Sequence, residues 1–61
     1  MSKGKKIKLL REALNMAQTE LAQKTKSSKQ TIYKYENDII TNIPSDKIMA
    51  LAKALNTTPM Y

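Results

Sequence analysis

Lys29, Gln30, Tyr33 and Lys34 lie in the run SSKQTIYKYEN at positions 27–37 and bring two ammonium groups, a carboxamide and a phenol close together. Winding residues 28–36 into a helix at about 100° per residue, with Lys29 at zero, sets Tyr33 at ~40°, Gln30 at ~100° and Lys34 at ~140°. The four then share one face. Ile32 at ~300°, Tyr35 at ~240° and Ser28 at ~260° fall on the opposite side, the one able to pack inward. A carboxamide can bond adenine through two hydrogen bonds, and an ammonium can donate to guanine O6 or N7. A face that is merely solvated has the same composition, so on its own the helix leaves both readings open.

The rest of the chain narrows the chemistry. With 61 residues it forms one domain, spanning 1–61, with little free energy to spare. Cysteine and histidine are both absent, which excludes disulfides, thiolate or imidazole metal sites, and Ser-His-Asp or Cys-His nucleophiles. Glu12, Glu20, Glu36, Asp38 and Asp46 do not form a carboxylate pair on one face, and so short a chain has little room for an enclosed cleft. No enzyme is expected, and no metal, cofactor or small-molecule ligand is called for.

Eleven basic residues against five acidic ones give a net charge of +6, a balance suited to a polyanion. The charge is uneven. Positions 1–34 hold nine basic and two acidic residues, whereas 35–61 hold two basic and three acidic, so a polyanion would meet the first half. An anionic membrane surface is the rival partner, but the chain lacks the Trp or Phe that would anchor an exposed face. No apolar run suits a signal peptide or approaches the roughly 20 residues of a membrane span. The expected location is the bacterial cytoplasm, in association with the nucleoid.

The elements that position these groups read as helices. Ile7, Leu10 and Leu14, flanked by Leu9, Ala13 and Met16, predict a first helix over about 4–14. Leu21, Ala22 and Thr25 mark a second over about 18–25, and Ser28 is a good N-cap for a third over about 29–36. NDIITNIP at 37–44 reads as a loop. Ser45 is then expected to cap a fourth helix over about 45–55, carrying Ile48, Leu51, Ala52 and Leu55. Thr58-Pro59 looks like the start of a fifth, so the chain is expected to be a piece, or a shortened form, of something longer. The predicted class is all-α, a compact four- to five-helix bundle with Ile7, Leu10, Leu14, Leu21, Ala22, Ile32, Ile48, Leu51, Ala52 and Leu55 in the core.

A short second helix, a tight turn and a third helix with a polar face make the helix-turn-helix pattern. IKLLREAL (7–14), QTELAQK (18–24), SSKQTIYKYEN (27–37) and PSDKIMALAKAL (44–55) follow in unbroken order. On these segments the chain resembles the lambda-type phage repressor and Cro family, the XRE-type helix-turn-helix DNA-binding domains. ITNIPSDKI and the later TTPMY look most like the N-terminal domain of prophage repressors that continue into a dimerisation and self-cleavage domain. Four positions depart from the family pattern. Ala17 stands where Ser or Thr usually caps the second helix, Lys26 where the turn usually has Gly, Ser27 where an apolar plug is usual, and Asp38 where Gly is common.

The resemblance implies roles. Lys29, Gln30, Tyr33 and Lys34 take the base-reading positions of the recognition helix. Gln18 is implied as a phosphate ligand at the start of the second helix, with Ser28 and Asn37 as further phosphate ligands or simply as caps. Arg11 is expected to form an ion pair with Glu36, offsetting an acid at the negative end of a helix. Lys3, Lys5 and Lys6 are either a flexible arm along DNA or a solubilising tail. The implied function is sequence-specific binding of a double-stranded DNA operator by a transcriptional regulator of the phage-repressor type. An antitoxin-like protein-interaction module that binds DNA secondarily is the alternative. A homodimer is expected in the parent protein, with self-association weak or absent in this piece.

Overall fold

The computed structural model describes residues 2–58. Helix α1 (Lys3–Ala13) starts at Ser2, whose hydroxyl accepts the Lys5 N–H at 3.1 Å. Helices α2 (Gln18–Lys24), α3 (Lys29–Glu36) and α4 (Ser45–Ala54) follow. Among the described residues the bundle thus has four helices and no strand. The expected fifth would begin at Pro59, outside those residues.

All four helices end alike. At each C-terminus the chain turns left-handed one residue past the cap, at Asn15, Lys26, Asp38 and Asn56, with φ between 53° and 58°. The next N–H then reaches back to an otherwise orphan carbonyl: Met16 to Arg11 at 3.0 Å, Ser27 to Ala22 at 2.8 Å, Ile39 to Lys34 at 2.9 Å and Thr57 to Ala52 at 2.9 Å. This is the Schellman arrangement, usually built on glycine. Here no glycine takes part. Asn and Asp tolerate the left-handed region because a short polar side chain can bond locally; lysine has no such help.

The core is formed by Ile7, Met16, Leu21, Ala22, Ile32, Tyr35, Ile43, Ile48, Leu51, Ala52 and Leu55, with Leu10, Ile40 and Ala54 packed at its edge. Leu14 does not join it and is 43% exposed. Leu14 is the α1 cap, and after the left-handed step at Asn15 it is Met16 that turns into the interior. The cap expected at Ser45 is also corrected. Pro44 holds the N-cap position with no side-chain bond, and Ser45 is the first helical residue.

Gly4 brings the amino end of α1 against the carboxyl end of α3. A Cβ there would collide with the Tyr35 carbonyl oxygen and stand 2.7 Å from Asp38 Oδ1 and 3.0 Å from the Glu36 carbonyl oxygen. The contact sets the positive end of one helix against the negative end of another, a favourable alignment. Lys3, Lys5 and Lys6 are consequently not an arm or a tail. They sit exposed on the first turns of α1, which the Ser2 cap and the Gly4 contact hold in place.

Candidate nucleic-acid interface

Ser28 starts α3: its hydroxyl accepts the Thr31 N–H at 3.1 Å and shares a 2.9 Å hydrogen bond with the Thr31 hydroxyl. Ile32 is fully buried and Tyr35 is 5% exposed, so together they fix the inner side of α3. Lys29, Gln30, Tyr33 and Lys34 are all exposed, and among the described residues none of these four side chains has a hydrogen-bond partner. An α-helix with its side chains is about 10–12 Å across, comparable with the roughly 12 Å width of a DNA major groove. The four groups therefore project from one side of a rod that such a groove can accept.

At the other end of α3, the Asn37 side-chain amide donates to the Tyr33 carbonyl at 2.9 Å, a bond that closes the helix. Beside it lies a partly buried polar network. Arg11 Nε donates to Glu36 Oε2 at 2.6 Å and Nη2 to Oε1 at 3.1 Å, a two-pronged ion pair. The third guanidinium nitrogen, Nη1, donates to the Met16 carbonyl at 2.7 Å. Gln18 Nε2 donates to Glu36 Oε1 at 3.0 Å. The Glu36 side chain is 1% exposed, and the hydrogen bond it accepts from Arg11 holds the guanidinium above its ordinary pKa range despite opposing desolvation.

This network decides where Gln18 points. Ala17 provides no side-chain cap for α2, so the first residue of that helix is tied down instead by its own amide, through Glu36. One N–H of the Gln18 amide is committed inward. The other remains available to an outside acceptor. Ser28 and Asn37 thus bracket α3 and perform capping roles, while Gln18 stands at the start of α2 against Glu36 at the end of α3.

Two features escaped sequence reasoning. Gly4 looks like an N-terminal spacer because its partners lie more than 30 positions away. Lys47, on α4, reads as an ordinary surface lysine, yet its ammonium donates to the Thr25 carbonyl at 2.8 Å and the Lys26 carbonyl at 3.0 Å. Neither contact leaves a periodic trace in the sequence, because one partner set is backbone and the other is an absent side chain.

A surface hollow of about 420 Å³ lies between α2 and α4 and is lined by Lys24, Ala50, Lys53, Ala54 and Asn56. It contains no nucleophile paired with a base. No helix among the described residues is long and apolar enough to cross a membrane. Comparison with known proteins gave no match among curated proteins and none among solved structures. A family model described as Helix-turn-helix matches residues 7–61, a stretch that includes the exposed α3 face, the α2–α3 turn and the Arg11–Glu36 network. That match spans most of the sequence, and the chain belongs to the helix-turn-helix family of DNA-binding regulatory domains.

Proposed function

We propose that this domain binds a specific double-stranded DNA operator as a transcriptional regulator of the phage-repressor type, acting in the cytoplasm on the nucleoid. The observation that carries the reading is the α3 face. Among the described residues Lys29, Gln30, Tyr33 and Lys34 stand unpaired and exposed while Ile32 and Tyr35 lock the other side. With α3 in the major groove, Gln30 and the two lysines meet base edges, and Tyr33 meets a thymine methyl or a phosphate.

Register comes from the backbone. The free N–H of Gln18 and the polar groups of Ser28 and Asn37 bond phosphates on either side of the groove. One such domain covers only about 600–1,000 Å² of DNA, so two copies on half-sites about one helical turn apart are needed for useful affinity. The protein therefore acts as a dimer on its operator. Occupying a promoter blocks polymerase, and no reaction is involved.

Selection of bound duplexes from a random pool tests the reading. A common motif should emerge, and log affinity for it should fall with log salt at about 0.9 per phosphate neutralised. Recovery of unrelated sequences bound equally well would overturn it.

A further inference from the structure

We propose that Lys47 is a positioning residue for DNA reading, its ammonium holding the turn between α2 and α3 in the left-handed conformation that glycine would otherwise supply. The inference rests on the DNA-binding function proposed above, and adds to it a part of the molecule outside the helix-turn-helix itself.

Of the four left-handed helix ends, three carry Asn or Asp, residues whose short polar side chains suit that conformation. Lys26 is the exception, and it occupies the turn that sets the angle between α2 and α3. Lys47 donates to the carbonyl of Lys26 itself at 3.0 Å and to that of Thr25 at 2.8 Å. Both oxygens belong to the end of α2, where the helix dipole is negative and a cation is favoured. Hydrogen bonds from an ionised donor are also about twice as strong as neutral ones. Among the described residues Lys47 is the one lysine whose ammonium is hydrogen-bonded.

The Thr25 hydroxyl reinforces the same corner, donating to the Leu21 carbonyl at 2.8 Å. Because α4 packs against α2, Lys47 ties the turn to the half of the bundle that does not read DNA. Its two inward bonds set it apart from the exposed lysines. It is basic, yet its charge is spent on the protein's own backbone.

The test is a thermodynamic cycle of Lys47→Met, Lys26→Gly and the double variant in the whole chain, measured on the duplex recovered by selection. Lys47→Met should weaken binding about tenfold with the slope of log affinity against log salt unchanged, since no phosphate contact is lost. Lys26→Gly in the same background should restore most of the loss. A slope lowered by about 0.9 would make Lys47 a phosphate ligand, and a loss that glycine does not repair would free the turn from any dependence on it. Either overturns the proposal.

Amide hydrogen exchange at Ser27 reads the clamp without DNA. It should quicken at least tenfold in Lys47→Met and recover in the double variant; unchanged exchange also overturns the proposal. If the wild-type chain selects no duplex, the proposed function fails and this second measurement still decides about the clamp. If Lys47→Met does not fold, the double variant should fold, and failure of both counts against the clamp.

Discussion

Glu36 Oε2 lies 2.6 Å from Arg11 Nε, joining the last residue of α3 to the last turn of α1 across 25 positions. The acid sits where the helix dipole is unfavourable to it and is almost wholly removed from water, so it depends on its cation. Through Gln18 the same carboxylate also locates the first residue of α2. One pair, with its acid buried, thereby fixes three helices at one corner of the bundle.

Removing the cation should be costly. Arg11→Met leaves Glu36 buried and uncompensated, a change that typically destabilises by 3–5 kcal/mol, reduced here to about 3 kcal/mol because the guanidinium keeps some contact with solvent. In so small a domain that is a large share of the total. Urea unfolding should show a much lower midpoint, partly recovered by adding Glu36→Gln, and an unchanged midpoint would mean the pair contributes nothing.

Burial of Tyr35, and secondarily the charge of Asp46, raises the phenol's pKa above its ordinary value. A raised folded-state value means that the stabilising difference is fully present below the unfolded pKa of about 10 and is lost as pH climbs through the folded one. Tyr35→Phe lacks this component. Stability of wild type relative to Tyr35→Phe should be flat from neutral pH to about 9 and decline above about 10; parallel curves throughout would show the phenol to be freely solvated. Arg11 is likewise raised, but its range lies beyond alkaline conditions the fold would meet, so the ion pair adds no slope of its own there.

The α3 helix was legible because two signals coincide in it. Ser28 announces its start, and Ile32 alone is aliphatic among polar neighbours, so periodicity assigns the inner face without ambiguity. Leu14 shows where that method stops. Spacing places it on the inner stripe, but the chain leaves the helix at Asn15 and Met16 takes the interior position. Ser45 failed for a related reason: a hydroxyl beside proline resembles a cap, while the backbone assigns that position to Pro44. Lys47 and Gly4 were invisible because their partners are backbone atoms of distant elements, and a spacing rule sees side-chain pattern within one element.

Gly4 supplies a prediction opposite to simple helix propensity. Alanine in the first turn of α1 would favour the helix by about 1 kcal/mol, but its methyl would meet the carbonyl oxygens of Tyr35 and Glu36, which cannot yield without moving α3. Overpacking of this sort costs about 1–3 kcal/mol. Gly4→Ala should therefore unfold at lower urea than wild type, and any gain in stability would mean that α1 slides freely along α3.

On DNA, the exposed α3 groups should separate by what they read. Gln30→Ala removes a carboxamide and leaves the fold intact, because its side chain touches nothing inside. Preference at one base position should relax by roughly 1–3 kcal/mol, with binding elsewhere in the site and the salt dependence unaltered. A uniform loss across all duplexes would move Gln30 from the base edges to the backbone.

Gln18→Ala should behave the other way. Its amide gives one N–H to Glu36, which leaves the second for a phosphate, a contact that carries no sequence information. Affinity for the selected duplex and for unrelated DNA should then fall by the same factor, with the salt slope unchanged because no charge is removed. Gln18→Glu is the sharper variant: it sets a carboxylate against Glu36 and against the phosphate alike, so both stability and binding should drop below the alanine level. If Gln18→Ala instead relaxes preference at a single base pair, the amide reads sequence, and the start of α2 rather than the middle of α3 is what enters the groove.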